Sequence, residues 1–158
     1  MHEELVATVR EWITEAVALR AGAYLPDTPV VGPQQLREAL LDVRARLDRV
    51  DELFVSCTQL RAASQRQTTA LRANAEDQWD QVAKRLPAVE YQSGRERAAQ
   101  INLHTVAVVR LVRQADEALS HVSEGYDVLR TISRGLDGLR MDLHRMLTAM
   151  TFESGLER

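Results

Sequence analysis

Two long stretches of the chain place apolar residues at alternating steps of three and four. In the first the seam is Leu36, Leu40, Val43, Leu47, Val50, Phe54 and Cys57. In the second it is Val108, Val112, Ala115, Leu119, Val122, Tyr126 and Leu129. On an α-helix this spacing puts every named side chain on one stripe, and the stripe must be buried against another helix. A shorter pattern, Leu5, Val9, Trp12, Ile13, Ala16 and Val17, has the same period.

The spacing predicts a first helix over residues 2–20. Ala21-Gly22 ends it, since glycine suits a helix C-terminus. A linker over 22–33 contains Pro26, Pro29 and Gly32, and Pro33 stands where a first helical turn tolerates it. The second helix is predicted over 33–86, roughly 80 Å long if unbroken at about 1.5 Å per residue. Its seam turns polar at Arg61, Ser64 and Thr68, inside the run Ser64-Gln65-Arg66-Gln67-Thr68-Thr69, and apolar residues return at Leu71, Ala75, Trp79 and Val82. A polar layer in a continuous seam fixes register or oligomer state at a cost in stability. A break into two helices is the alternative, so the stretch 61–70 stands as hinge or interface.

Pro87 ends the second helix, because it lacks a backbone donor and disfavours helix in the residue before it. The turn runs from Pro87 to Gly94. Ser93 or Gly94 precedes a third helix, predicted over 95–152, with Glu96 near the positive end of its dipole. After Leu129 the seam continues at Ile132, Leu136, Leu139, Leu143, Met146 and Met150, which reads as a stammer that overwinds a coiled coil. Gly125, Gly135 and Gly138 lie inside this helix, each at a cost of about 1 kcal/mol relative to alanine. That cost points to close approach by a neighbouring backbone, or to a kink.

Two long helices joined by a short turn fold back as an antiparallel hairpin. The expected fold is therefore all-α, one helical domain over 1–158, with the short N-terminal helix docked at the base of a coiled-coil-like hairpin. Several apolar residues fall off the seams: Leu41, Leu53 and Leu60 on the second helix, and Val106, Val109, Leu111, Val128 and Leu147 on the third. A widened stripe needs more than one neighbour. The first helix covers only part of such a hairpin, so a homo-oligomer or a helical protein partner is expected. The residues expected to carry the assembly are Leu36, Leu40, Val43, Leu47, Val50 and Phe54, facing Val112, Leu119, Val122, Leu129, Leu136 and Leu143.

Composition agrees with a bundle of aliphatic seams: 45% of the 158 residues are hydrophobic but only 4% are aromatic. The formal charge is -3, whereas a protein holding nucleic acid by bulk charge should be basic. Nearly all the positive charge is arginine, Lys84 being the single lysine. Cys57 is the sole cysteine and sits on a seam, so a buried apolar role is expected rather than a disulfide. That suits a reducing compartment. The acidic start Met1-His2-Glu3-Glu4 does not read as a signal peptide, and no apolar run approaches the roughly 20 residues of a membrane span. A soluble, cytoplasmic protein with no membrane contact is expected.

Catalytic chemistry finds little support. His2, His104, His121 and His144 show no metal-ligand spacing, and no Glu-x-x-His motif, phosphate loop or Gly-x-Ser-x-Gly elbow occurs. The pairs Asp51-Glu52 and Glu76-Asp77 are adjacent on helices and so diverge. No cofactor, no metal and no enzymatic activity are expected. Charge is more informative locally. From Leu53 to Ala75 there are three arginines, Arg61, Arg66 and Arg72, and no acid. Around the turn Lys84, Arg85, Arg95 and Arg97 outnumber Glu90 and Glu96, with Tyr91 between the basic pairs. Such a tip can follow a phosphate backbone and stack a base, or it can be an ordinary solvated helix end.

At this turn Lys84-Arg85-Leu86 and Tyr91-Gln92-Ser93-Gly94-Arg95 resemble the corresponding stretch of the recombination mediator proteins of T4-like phages. Ser133-Arg134-Gly135 and Phe152-Glu153-Ser154-Gly155 echo residues near that family's end, at a different separation. The resemblance covers about a dozen residues. It implies a small, helical, oligomeric, non-enzymatic protein that binds single-stranded DNA and loads a recombinase, with Lys84, Arg85, Tyr91 and Arg95 as the contacts and Arg97 beside them. The acidity of the chain departs from that pattern. The sequence thus supports a non-enzymatic assembly or adaptor subunit first, and a single-stranded-DNA-binding mediator as the alternative.

Overall fold

A computed structural model describes residues 2–23, 32–86 and 93–156, with side chains over 3–23, 32–86 and 93–152. Tyr91, most of the expected linker and most of the expected turn lie outside these residues. The described residues form three helices and no strand: α1 (His2–Ala21), α2 (Pro33–Arg85) and α3 (Gly94–Leu156).

The helix starts follow from local chemistry. Ser93 is the N-cap of α3, its Oγ accepting the Glu96 N–H at 3.2 Å. Before α2 the Gly32 N–H donates to Gln35 Oε1 at 3.1 Å, and Pro33 fills the first helical position. The helix ends use a different device. Arg46 of α2 donates from Nη1 to the Leu19 carbonyl at the end of α1, at 3.2 Å. Arg97 of α3 donates to the carbonyls of Leu86 and Ala83 at the end of α2, at 2.6 and 2.7 Å. Each guanidinium thereby satisfies carbonyls that have no partner within their own helix. α1 ends at Ala21-Gly22, as the sequence predicts, and no described glycine has positive φ. The service of Gly22 is room, because a Cβ there would run into the Arg46 guanidinium.

The polar run does not break α2. The alternating step carries through Cys57, Ser64 and Thr68, and both hydroxyl residues are buried in the seam. Thr68 Oγ1 donates across to the Ala115 carbonyl of α3 at 3.4 Å.

The chain divides into two compact units, and each helix contributes to both. One unit comprises Ala7–Thr58 and Glu124–Arg158. Here α2 packs against α3 in antiparallel fashion: Asp51 accepts from Ser133 Oγ at 2.7 Å, and Phe54 lies 4.9 Å from Tyr126 between ring centroids. Leu36, Val43, Leu47, Val50 and Cys57 are buried from α2, and Leu129, Leu136 and Leu143 from α3, while Leu40 and Phe54 are half-buried. α1 joins as a third helix. Glu15 meets Arg49 of α2, and Val9 meets Gly125 of α3, so α1 runs parallel to α3 and antiparallel to α2.

This third helix explains two departures from the sequence reading. Leu53, expected off the seam, is buried. It continues the row of Arg46 and Arg49, which both touch α1, so it lies on the side of α2 that α1 covers. The expected stammer is likewise a widened stripe. Leu129, Leu136 and Leu143 keep a seven-residue step and are fully buried, so the phase never changes. Tyr126, Ser133 and Arg140 continue the edge that faces α2, while Ile132 and Leu139 fill the other edge, in line with Gly125 and Gly135 where α1 lies.

The other unit comprises Met1–Val6 and Gln59–Ser123. It is a two-helix hairpin segment with only the first turn of α1 added. Ile101, Thr105, Val108, Ala118 and Val122 of α3 are buried, and Val112 and Leu119 are half-buried. Arg72 of α2 pairs with Asp116 of α3 at 2.8 Å.

Candidate functional site

The feature of α3 that stands out chemically is the segment Ala98 to Val112. It carries apolar residues on all sides: Ile101, Val108 and Val112 on the seam, and Leu103, Val106, Val109 and Leu111 elsewhere. A helix that is apolar all round is normally enclosed. In this unit a single long neighbour covers one stripe, and the opposite face stays in water. Leu103 is 66% exposed, Val106 55% and Val109 54%. Fully burying one such side chain stabilises by about 1.5–3 kcal/mol, so three on one face leave a substantial driving force unused. Val106, Val109 and Leu111 were named from their position off the seam. Leu103 was missed, although its spacing to Val106 and Arg110 marks a second helical row. Leu147, expected off the seam, is half-buried, whereas Leu41 and Val128 are exposed.

Arg95 and Arg110 flank this face, and neither forms an ion pair among the described residues; Arg113 pairs with Glu117 one turn on, at 3.1 Å. At the expected basic tip, Lys84, Arg85 and Arg95 are exposed. Arg97 is not equivalent to them. Its guanidinium is held by the α2 end carbonyls and is partly covered.

A cavity of about 300 Å³ lies in the same unit, lined chiefly by Leu5, Ser64, Thr68, Leu111, Ala115 and Ala118. It exists because small residues stand where the seam would otherwise hold leucines. Ser64 is 6% exposed and its hydroxyl has no hydrogen-bond partner among the described residues. In the other unit a smaller hollow is bordered by Leu40, Arg44, Arg140, Met141 and His144, with Arg140 held by Asp137 at 2.7 Å.

The clear shifts in acidity belong to an exposed ion pair. The Arg49 hydrogen bond holds the Glu15 carboxyl below the usual glutamate range against a smaller opposing effect of burial, and the Arg49 charge adds the least. Glu15 and Glu52 together push Arg49 above its already high range. The fork is direct, with Nε to Oε1 at 2.7 Å and Nη2 to Oε2 at 3.3 Å. It joins α1 to α2. Among the described residues no group of three His, Cys, Asp or Glu side chains could hold a metal ion. No described helix is long and apolar enough to cross a membrane. Comparison of the chain with protein-family models, with curated proteins and with solved structures gives no match.

Proposed function

We propose that this chain is a non-enzymatic helical assembly subunit, acting through association with itself or with another helical protein. One observation carries the reading: the face of α3 bearing Leu103, Val106 and Val109 is apolar and exposed in a unit that has no third long helix to cover it. The other unit supplies an internal comparison. There α1 lies on the hairpin, and the residues on its side, Leu53, Ile132 and Leu139, are buried or half-buried. The bundle thus uses a third helix wherever one is present, and a partner helix supplies what is lacking elsewhere. The seams from Leu36 to Cys57 and from Val108 to Leu143 hold the hairpin itself together.

Sedimentation equilibrium across the micromolar range tests the reading. A mass rising above the 17.8 kDa of one chain is expected. A single-chain mass at every concentration removes self-association. The single-stranded-DNA reading is separated by a gel shift at two salt concentrations. A salt-sensitive shift that is lost in Lys84→Glu/Arg85→Glu would favour it over assembly.

A further inference from the structure

We propose that the outer face of α3 between Arg95 and Glu117 binds the same face of a second copy of this chain, with the two α3 helices antiparallel about a two-fold axis at Val106. This rests on the assembly reading and names its partner.

The apolar centre of the face is Ala99, Leu103 and Val106, on the side of α3 away from Ile101, Thr105 and Val108, with Val109 exposed at its edge beside the buried seam. The charges around it choose the direction. Arg95 and Glu117 each stand eleven residues from Val106, on opposite sides of it. A two-fold axis at Val106 therefore sets Arg95 of one copy beside Glu117 of the other, and the symmetry makes this pair twice. The same operation brings Ala99 opposite Arg113. The small alanine leaves space for the arginine stem, and the Arg113 guanidinium already holds Glu117 at 3.1 Å. Arg95, without an ion pair among the described residues, completes a cluster of two arginines around one carboxylate.

The parallel arrangement is penalised. It would stack Arg95, Arg110 and Arg113 each on its own counterpart, and like charges across an interface exclude wrong geometries. An isologous two-fold contact is also the commonest closed assembly. Central valines with flanking charges follow the usual order of an apolar centre inside a polar rim.

Cysteine cross-linking tests the axis. Val106→Cys should give a covalent dimer under mild oxidation, because the two copies of residue 106 face each other. Ala99→Cys should not, since its two copies are fourteen residues apart along the helices, about 21 Å at 1.5 Å per residue. The wild-type chain is the control, its single Cys57 being buried. Charge exchange tests the direction. Arg95→Glu and Glu117→Arg should each weaken the dimer roughly tenfold, through two lost pairs and two repulsions, and the double variant should recover it. Helical circular dichroism equal to wild type shows that these exposed substitutions leave the chain folded. A dimer that persists in Arg95→Glu, and that Val106→Cys fails to cross-link, overturns this interface and leaves the assembly reading standing. A single-chain mass at all concentrations overturns both.

Discussion

Gly125 and Gly138 lie on the same helix, and alanine should act on them in opposite directions. Glycine inside a helix costs about 1 kcal/mol relative to alanine, so substitution gains that amount wherever the new methyl group finds space. At Gly138 nothing stands within 4 Å of an added Cβ, and Gly138→Ala should stabilise by about 1 kcal/mol. At Gly125 the Cβ would enter the volume of Val9 Cγ1 and also touch Ile13 Cδ1 at 3.6 Å. Val9 is β-branched and sits on α1, where its χ1 has one strongly preferred rotamer, so the methyl cannot swing aside. Overpacking of this kind costs about 1–3 kcal/mol, and after the gain of about 1 kcal/mol in helix propensity Gly125→Ala should lose up to about 2 kcal/mol. The two variants should thus melt on opposite sides of wild type, by about 2–4 °C per kcal/mol for a chain of this size. Urea unfolding followed at one fixed protein concentration avoids a contribution from self-association. Val9→Ala supplies the control. If the clash is the cause, the double variant with Gly125→Ala should be more stable than the sum of the two single losses, with a coupling of about 1 kcal/mol. Equal stabilisation by both glycine substitutions, or a coupling near zero, would refute the close approach of α1 to α3 at Gly125.

Two further outcomes follow from single side chains. Glu15 is held below its ordinary value of 4.5 by Arg49, so its contribution to stability is complete above that value and is lost as pH falls through the lower folded value. Glu15→Gln should flatten the acid side of the stability–pH curve, and a variant with the full wild-type slope would dissociate the pair from folding. Ser64 buries a hydroxyl that has no hydrogen-bond partner among the described residues, so Ser64→Ala should raise stability by about 1 kcal/mol in urea unfolding. A loss there would mean that the hydroxyl is bonded.

Much of the hairpin was legible because one rule governs it. Leu36, Val43, Val50 and Cys57 on α2, and Leu129, Leu136 and Leu143 on α3, follow a seven-residue step, and every one of them is buried. The rule also carries through Ser64 and Thr68, where residue type alone suggested a gap; period, not polarity, decided the path of α2. What was not legible came from the third helix. Leu53, Ile132 and Leu139 owe their burial to α1, and no local pattern on α2 or α3 reports where a separate short helix will dock. A collision between Val9 and a methyl group at position 125 exists only in three dimensions. The sequence offered the bare fact of three costly glycines and the expectation of a neighbouring backbone or a kink; the neighbours at Gly125 and Gly135 are side chains, and nothing stands within 4 Å of a Cβ at Gly138. At the basic tip the four cations looked alike in sequence. Only the geometry separates Arg97, tied to the carbonyls of Ala83 and Leu86, from Lys84, Arg85 and Arg95. The apolar face of α3 was half visible, since Val106 and Val109 fall off the seam, but a seam-based reading passes over Leu103.

The arginine seals at the helix ends bear on how the chain matures during synthesis. The last turn of α1 waits for Arg46, and the last turn of α2 waits for Arg97, which lies beyond Pro87 in the sequence. A polypeptide emerging from the ribosome therefore carries one frayed terminus at a time, and each is closed by the next stretch to emerge. Helices finished in this order grow as a relay, so a chain stopped before residue 97 would keep an unravelling tail on α2 however good its upstream packing.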